Sequence, residues 1–415
     1  MTFFLRSYGC RLNQAEGLQV EAALEHAGFQ RVSAGEPSDV VIVNSCTVTQ
    51  KAEAECLKFL QQTRAAQPHA CIVLTGCATE TRAPDAIRGI ADVVVPQPEK
   101  DNLVARVMRH LGQAPCASAP AFRKPRTQRA ALKVQDGCAF ACAYCVVPVA
   151  RGNVSRSRPL AECLAEARAL IENGFQEIVV TGCNTACYQD AGKNLVDLLK
   201  ALLRLPGLGR IRLGSVEPGT VERDLIQLMR AEPKLCRFLH LPIQSGDDDT
   251  LARMRRRYTV DGVMRFLDVA YHQMPDISIG TDLIAGFPGE TEEAFARSCR
   301  LIKAYTFSNV HIFPYSERPK TAAAEMPNPV AVSTRKLRTN RLIQIAKEGR
   351  QAYLRRFLGK PVTLLIERYD PHGCAHGWSA EYLPCAVSGI PPNLRRTLHT
   401  FTPTRICDGT LTHHA

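Results

Sequence analysis

The chain of 415 residues contains no apolar run long enough to span a membrane, which argues against a membrane enzyme. It also lacks the pattern of a secretory signal, because the N-terminal MTFFLRSYGC has only a short apolar stretch. Structural disulfides are not expected, because the 17 cysteines are an odd number in a chain too long to need them. Together these absences predict a reduced, cytoplasmic protein.

Acidic residues are the minority charge: 40 Asp and Glu stand against 52 Lys and Arg, giving a formal net charge of +12. Such an excess of positive charge predicts a polyanionic partner. Simple solubility would also explain the charge, but binding to nucleic acid is favoured. The length predicts about two to three domains, each large enough to bury a core.

The most specific motif is the run DGCAFACAYC, which contains Cys138, Cys142 and Cys145. Three thiolates at this spacing hold three irons of a 4Fe–4S cluster and leave the fourth iron open for another ligand. An isolated CxxC pair also fits half of a zinc site or a redox pair. The third cysteine and the apolar run Ala131–Val134 before the motif favour the cluster. The spacing resembles that of the radical S-adenosylmethionine (SAM) superfamily, in which SAM binds the open iron, and Tyr144 supplies its usual aromatic residue.

A second set of cysteines follows strand-like segments in the first hundred residues. Alternation of strands with helices predicts a parallel sheet, whose ligand-binding edge lies at the carboxyl ends of the strands. The cysteines should therefore converge there, beside helix N-termini that favour ionised thiolates, and hold a second cluster. Cys56 and Cys71 are interpreted as structural, and a fourth strand, Asp92–Val95, has no cysteine after it. The three segments and their cysteines are Phe3–Gly9 with Cys10, Val40–Ser45 with Cys46, and Ile72–Gly76 with Cys77.

The rest of the chain predicts a linker, a barrel and a small β module. We place the boundaries at 1–113 for the N-terminal α/β domain, 114–130 for a proline-rich linker, 131–358 for the barrel and 359–415 for the last module. Six strands, each followed by a helical pattern, predict an incomplete (βα)6 barrel with its working residues at the carboxyl ends of the strands. The predicted barrel strands are Ala131–Gln135, Glu177–Thr181, Ile211–Ser215, Phe238–Ile243, Ile277–Ile284 and Asn309–Phe313.

Polar residues and glycines at these strand ends are candidate SAM or substrate contacts, although each also fits a turn or a helix cap. Arginines directly after the cluster motif fit a carboxylate or phosphate, or simply a solvated helix entrance. The strand-end candidates are Thr181, Gly182, Glu217, Gln244, Ser245 and the loop Gly286–Glu290, and the arginines are Arg151, Arg156 and Arg158.

Further basic segments and the C-terminal region favour RNA as the polyanion. MRRRYT at Met254–Thr259 and the long helical pattern Ser333–Lys360 concentrate arginine and lysine, although such faces are often only solvated. From Pro361 the strand VTLLIERY and several turn signals predict a small nucleic-acid-binding β-barrel, and the pattern weakens after Pro391.

Taken together, the motifs resemble the methylthiotransferase family of radical SAM enzymes over nearly the full length. The N-terminal motifs are SYGCRLNQAE, VNSCTVTQKAE and LTGC, and the barrel motifs include QDGCAFACAYCVVPVARGNVSRSR, SVEP, LPIQSG, DLIAGFPGET and FPYSERPKTA. The C-terminal module resembles the family's RNA-binding TRAM domain. Within the family, the chain resembles the MtaB-type enzymes most. The motifs that indicate this are CTVT, QDGC, and ARG followed by RSR.

The resemblance implies an activity and its cofactors. The expected reaction adds a methylthio group to C2 of N6-threonylcarbamoyladenosine at position 37 of tRNA, beside the anticodon. The expected cofactors are two 4Fe–4S clusters, one of them carrying sulfur, and SAM as radical source and methyl donor. Cys138, Cys142 and Cys145 are then the catalytic cluster ligands, and Cys10, Cys46 and Cys77 the auxiliary ones. tRNA, an external electron donor and a sulfur source are the expected partners.

Several alternatives stay open at this stage. The acceptor could instead be isopentenyladenosine in tRNA or an aspartate of a ribosomal protein. A non-catalytic iron–sulfur RNA-binding or sensing protein, or a zinc protein, fits the barrel and the three-cysteine sets less well. Cys183 and Cys187 in TGCNTACYQD depart from the family pattern, as small substitutions or as an extra metal contact. Tyr8, Asn13 and Asn44 flank the N-terminal cysteines and are candidate hydrogen-bond donors to the auxiliary cluster.

Overall fold

The computed structural model describes residues 1–47, 50–81, 89–114, 128–220 and 223–413. Most of the predicted linker, residues 115–127, lies outside the described residues. The chain divides into two compact units. The first comprises Met1–Lys124, Asp136–Arg156 and Ser316–Ala324, and the second comprises Pro125–Gln135, Ser157–Tyr315 and Glu325–Ala415.

The N-terminal part of the first unit is a parallel α/β sheet. Five strands run in the order β2-β1-β3-β4-β5, and each pairing is parallel. The residues of β3 and β4 are all buried, as expected for central strands covered on both faces. The elements are β1 (Thr2–Ser7), α1 (Arg11–His26), β2 (Gln30–Arg31), β3 (Val40–Ser45), α2 (Gln50–Ala66), β4 (Cys71–Gly76), α3 (Ala78–Thr81), β5 (Val93–Val94) and α4 (Leu103–His110).

The central region alternates strands and helices, as the sequence predicted. Its elements are β6 (Arg129–Lys133), β7 (Gln135–Asp136), α5 (Val147–Arg151), β8 (Arg156–Ser157), α6 (Leu160–Glu172), β9 (Glu177–Thr181), β10 (Gln189–Asp190), β11 (Lys193–Asn194), α7 (Leu195–Leu203), β12 (Arg210–Leu213), α8 (Arg223–Ala231), β13 (Phe238–His240), α9 (Asp248–Arg253), α10 (Val260–Gln273), β14 (Ser278–Ala285), α11 (Glu292–Ala304), β15 (Asn309–Pro314) and α12 (Val332–Arg355).

Six of these strands form the partial barrel. One parallel half-sheet has the order β12-β9-β6 and the other β13-β14-β15. Two isolated parallel bridges, Ile211 with Leu235 and Ser215 with His240, join the two halves. The predicted incomplete (βα)6 barrel is therefore confirmed, with its first strand beginning at Arg129, inside the segment assigned to the linker.

The C-terminal region is a mostly antiparallel sheet in the order β19-β16-β17-β18-β21-β20, and only β18 and β21 pair in parallel. Its core also takes Tyr353 and Leu354 from the last turn of α12, so that helix joins the barrel to the module. Three strands follow Pro391, where the sequence pattern had weakened. The strands are β16 (Val362–Tyr369), β17 (Ala375–Ser379), β18 (Pro384–Val387), β19 (Leu398–Phe401), β20 (Arg405–Cys407) and β21 (Thr410–His413).

Candidate functional site

Three cysteines stand at the carboxyl ends of three neighbouring parallel strands of the first unit. Cys46 and Cys77 directly follow β3 and β4. Cys10 lies three residues beyond β1, at the N-cap position of α1. Because β1, β3 and β4 are adjacent in the sheet, these residues meet at one edge, as the strand pattern predicted.

Glycines let the cysteine-bearing loops approach one another. Gly9, before Cys10, has φ +85°, and a Cβ at this position would lie 2.2 Å from the Cys46 sulfur. Gly76, before Cys77, has φ +93°, and a Cβ there would lie 2.4 Å from the Ser45 carbonyl oxygen. Both positions therefore need glycine for conformation and for space. This close approach at the Cys46 sulfur fits a set of thiols that share one metal cluster.

The three thiols of this set differ in their burial. Cys46 and Cys77 are buried, whereas Cys10 is exposed. Burial raises the pKa of the Cys77 thiol to about 11, although the nearby Arg151 and Lys100 act in the opposite direction. Burial thus favours the neutral thiol of Cys77 in the protein alone, so iron binding there would release a proton.

Two of the predicted donors to this cluster instead hold the loops around it. The Asn13 amide donates to the carbonyl oxygens of Tyr8 at 2.8 Å and of Ser45 at 3.0 Å. The Asn44 amide donates to the Asn13 carbonyl at 2.6 Å. The Tyr8 hydroxyl is buried without a hydrogen-bond partner in the described part of the chain. Of the three, only Tyr8 retains an uncommitted polar group in this structure.

The other three cysteines lie in a loop of the same unit between β7 and α5. Cys138, Cys142 and Cys145 are partly exposed. Gly137 has φ +69°, and a Cβ there would lie 2.1 Å from the Val154 carbonyl oxygen. The backbone N–H of Cys138 donates to the Gly152 carbonyl at 3.1 Å. The loop is thus folded back on the chain that follows α5, and a glycine again precedes the first cysteine.

Arg151, a predicted SAM contact, has a different environment in the structure. Its guanidinium is buried and forms a bidentate pair with Glu16 of α1, at 2.7 and 2.9 Å. It also contacts Asp136 at 3.2 Å, and its positive charge acts to lower the pKa of the Cys77 thiol, against the effect of burial. Lys100 donates to the same Glu16 carboxylate at 2.6 Å. Arg151 therefore joins the helix after the second cysteine motif to the N-terminal cysteine set, which sequence spacing could not reveal.

Two further contacts bring the cysteine motifs into one unit. Helix α3, directly after Cys77, packs against α5, which begins soon after Cys145. In the returning segment Ser316–Ala324, Arg318 donates to the Thr47 hydroxyl at 2.6 Å, and the Ala323 N–H donates to the Ala143 carbonyl at 2.8 Å. Residues 316–322 of this segment lie in the motif FPYSERPKTA, whose sequence alone does not indicate these contacts.

The remaining predicted contacts belong to the second unit, on the carboxyl side of the barrel strands. Thr181 ends β9, and a Cβ at the adjacent Gly182 would lie 2.8 Å from the side-chain oxygen of Gln135. Ser245 accepts a bond from the Asp247 N–H at 3.3 Å. Gln244 has φ +72°, rare for a residue with a side chain.

Two buried polar groups in this region lack partners among the residues that the structure describes. Both side-chain atoms of Asn184 and one carboxylate oxygen of Glu217 make no hydrogen bond. The other carboxylate oxygen of Glu217 pairs with the Arg256 guanidinium at 2.8 Å. Unpaired buried groups are costly, so these atoms fit a polar ligand such as the amino acid part of SAM. Asn184 was missed because TGCNTACYQD was interpreted through its cysteines, and Cys183 and Cys187, both partly exposed, stay without an assigned role.

The two cysteine motifs lie in segments that match two different family models. Residues 132–302 match the model of the radical SAM superfamily, and residues 2–95 match that of uncharacterized protein family UPF0004. The chain is 35% identical to a threonylcarbamoyladenosine tRNA methylthiotransferase MtaB of Thermotoga maritima, over 92% of this chain and 90% of that one. It is 34% identical to a tRNA-2-methylthio-N(6)-dimethylallyladenosine synthase of Cereibacter sphaeroides, over 88% of this chain and 87% of that one.

Among solved structures, the chain is similar to the radical SAM methyltransferase TsrM of Kitasatospora setae, with TM-score 0.58 and 16% identity over 78% of this chain and 77% of that one. This likeness supports the fold. None of the helices in the described ranges combines the length and apolarity of a membrane-spanning helix. Radical SAM chemistry requires a 4Fe–4S cluster and SAM. On the identity and coverage of its relatives, this chain belongs to the radical SAM methylthiotransferase family of enzymes.

Proposed function

We propose that this enzyme converts N6-threonylcarbamoyladenosine at position 37 of tRNA to its 2-methylthio derivative. The observation that carries the proposal is the packing of two three-cysteine sets in one compact unit, joined through Arg151 and the segment Ser316–Ala324. A methylthiotransferase needs both an oxidant for an aromatic C–H bond and a source of sulfur. One cluster together with SAM would supply the oxidant, and the other cluster would supply the sulfur.

The residues divide these tasks. Cys138, Cys142 and Cys145 would hold a 4Fe–4S cluster with an open iron, and such a cluster would supply the electron for the cleavage of SAM. Cys10, Cys46 and Cys77 hold the auxiliary, sulfur-carrying cluster; the close approach of Gly9 to the Cys46 sulfur fits such a shared ligand. Burial of two of these thiols limits access of water to the sulfur.

The acceptor is supported by the relatives and by charge. Relatives named for threonylcarbamoyladenosine and for dimethylallyladenosine are similarly identical to this chain, at 35% and 34%. Both names specify tRNA, which agrees with the net charge of +12. Dimethylallyladenosine, an isopentenyl-type acceptor, is therefore the second candidate. Thr181, Gly182, Glu217, Gln244 and Ser245, together with Asn184, are the proposed region of SAM contact. An electron donor and a sulfur source must come from outside the chain.

The two-cluster assignment is tested by cysteine replacement in anaerobically reconstituted protein. Wild type should hold about eight irons, and Cys138→Ala about half of that number, with no formation of 5′-deoxyadenosine. Cys10→Ala should also lose about half of the iron but keep SAM cleavage while losing sulfur insertion. Cys407→Ala, in β20 of the C-terminal module, is the matched control and should retain all three properties.

The outcomes separate the roles of the two sets. SAM cleavage that persists in Cys138→Ala would mean that the radical-generating cluster lies elsewhere. Loss of SAM cleavage in Cys10→Ala would mean that the two roles have been exchanged or merged.

The acceptor is tested by mass spectrometry of tRNA nucleosides from cells with and without this gene. Loss of 2-methylthio-threonylcarbamoyladenosine and accumulation of its unthiolated precursor are expected. Accumulation of dimethylallyladenosine instead would establish the second candidate. No change in either nucleoside would reject tRNA adenosine as the acceptor.

A further inference from the structure

The hairpin between β16 and β17 of the C-terminal module brings an aspartate, a cysteine and a histidine together. Asp370 directly follows β16, Cys374 directly precedes β17, and His376 is the second residue of β17. A carboxylate oxygen, the thiol sulfur and a ring nitrogen of these residues all lie within 4.8 Å of one another. None of the three belongs to the cysteine sets or to the proposed region of SAM contact.

The strand register explains why these side chains meet. Tyr369 pairs with Ala375 in antiparallel register, so the next residues outward, Asp370 and Cys374, lie opposite each other. The Asp370 N–H donates to the Cys374 carbonyl at 3.0 Å, which continues the ladder by one step. Opposite residues share a face of the sheet, and so do residues two apart along one strand. Asp370, Cys374 and His376 therefore point to the same side of the hairpin.

Backbone N–H groups of the turn hold the carboxylate of Asp370 in a fixed orientation. Its Oδ1 accepts from the N–H groups of His372 and Cys374, each at 2.9 Å. Gly373 has φ +77°, and its N–H donates to the Asp370 carbonyl at 3.0 Å, so this glycine gives the turn its shape. The second oxygen of the carboxylate, Oδ2, is thereby directed to His376 Nε2, at 2.9 Å.

The donor set has the chemistry of a zinc site. Cysteine, histidine and aspartate are all zinc ligands, and three protein ligands with a water molecule complete a tetrahedral site. Zinc–ligand bonds of about 2.0–2.3 Å place two ligands of one ion about 3–4 Å apart, so shifts of about 1 Å or less suffice here. A carboxylate and a thiolate together balance the two charges of Zn²⁺. The harder ions Mg²⁺ and Ca²⁺ prefer oxygen ligands only.

The three residues are accessible to an ion from solvent. The side chains of Asp370 and His376 are 24% and 25% exposed, and Cys374 is partly exposed. Burial raises the pKa of the Cys374 thiol, while Ser388 and Arg368 act in the opposite direction. A metal ion at this position would therefore displace the thiol proton to solvent.

We propose that Asp370, Cys374 and His376 bind one Zn²⁺ ion at the turn of the β16–β17 hairpin, with a water molecule as the fourth ligand. The ion links the two strands across the turn and fixes this end of the C-terminal module. The site is separate from both cysteine sets, and it does not depend on which nucleoside accepts the methylthio group.

The test measures zinc and iron in the anaerobically reconstituted whole chain after incubation with zinc chloride and gel filtration. Wild type should retain about one zinc ion per chain. Cys374→Ser and His376→Gln should each lower the zinc content about tenfold or more, with the iron content and SAM cleavage of wild type. The matched controls are Cys407→Ser in β20 and His399→Ala in β19, which lie in the same module and should retain the zinc.

X-ray absorption at the zinc edge of the wild-type protein identifies the ligands without relying on the folding of any variant. The expected spectrum has one sulfur at about 2.3 Å and nitrogen or oxygen ligands at about 2.0–2.2 Å. Three sulfur ligands would place the zinc in a cysteine set and overturn the proposal. Wild type that retains no zinc, or Cys374→Ser that retains as much as wild type, would overturn it as well.

Discussion

Gly9 shows how one backbone position sets the geometry of the auxiliary cysteines. Its φ of +85° is unfavourable for any residue with a side chain, and a Cβ would lie 2.2 Å from the Cys46 sulfur. The conformation alone costs about 1–2 kcal/mol. The contact between an added Cβ and the Cys46 sulfur would also displace that sulfur, which is a proposed iron ligand.

Gly9→Ala should therefore lose about four of about eight irons while SAM cleavage continues. Iron content and 5′-deoxyadenosine formation are the two measurements. The matched control is Gly28→Ala, because Gly28 has a similar φ of +90° with nothing within 4 Å of its added Cβ. Gly28→Ala should be slightly less stable but keep its full iron content. A complete set of irons in Gly9→Ala would contradict the proposed ligand role of Cys46.

At the scale of elements, helices α1 and α5 are joined by buried charges. Glu16 of α1 is 4% exposed and binds both Arg151 of α5 and Lys100. Glu16 is thus shared by two buried cations, and Arg151 has a further contact with the less buried Asp136 at 3.2 Å. Removing one partner of such a pair leaves the others uncompensated, at a cost of about 3–5 kcal/mol.

Glu16→Gln should lower the free energy of unfolding by about 3–5 kcal/mol, as measured by denaturant titration. It should also weaken iron binding at the N-terminal set, because Glu16 holds Arg151 in place and the charge of Arg151 favours the ionised form of Cys77. Glu21→Gln is the matched control on the same helix, since Glu21 pairs with the more accessible Arg31 at 3.0 Å. It should cost no more than about 1 kcal/mol. Equal effects of the two substitutions would show that the Glu16 network adds no special stability.

Local sequence patterns predicted the elements well. The strand at Val40–Ser45 is observed with the predicted bounds, and so is that at Glu177–Thr181. Short apolar runs bounded by turn residues have few alternatives to a buried strand. Convergence of the N-terminal cysteines followed from the parallel order, because cysteine placement relative to each strand end is a local property.

Partners that are distant in sequence could not be predicted in the same way. Glu16 and Arg151 are 135 residues apart, and each looks like an ordinary surface charge in its own segment. The long helix α12 gave the same difficulty: Arg335 and Arg338, assigned to an RNA-binding face, are buried. Arg338 pairs with Glu290 of the loop Gly286–Glu290 at 2.7 Å. Residue type indicates charge, but only the fold determines what that charge meets.

At the scale of the whole molecule, buried charges hold the C-terminal module to the barrel within the second unit. Glu177 at the start of β9 is fully buried and binds Arg210 and Arg212 of β12 at 2.5 and 2.8 Å. The same arginines donate to the carbonyl oxygens of Trp378 at 2.8 Å and Ser379 at 2.7 Å. Glu177 thus positions two of the arginines that attach the predicted RNA-binding module to the barrel.

The protonation of Glu177 gives this attachment a defined pH dependence. Burial alone would raise the pKa of Glu177, but the charges of Arg212 and Arg210 outweigh it and lower the pKa from 4.5 to about 2. A carboxylate with a lowered pKa stabilises the folded state above its unfolded pKa, and this stabilisation is lost as the pH falls toward the folded value. The contribution of Glu177 is thus full at neutral pH and declines between 4.5 and about 2.

Glu177→Gln should lower the free energy of unfolding by about 3–5 kcal/mol at neutral pH, because two arginines remain buried without their carboxylate. The difference from wild type should shrink as the pH is lowered below 4.5, since wild type then loses the same charge. Denaturant titrations across this range measure the difference directly. Asp261→Asn, which removes an exposed pair with Arg265, serves as control and should change stability little at any pH. A difference for Glu177→Gln that stays constant from neutral pH to the acid limit would show that the carboxylate acts through its shape and hydrogen bonds, and not through its charge.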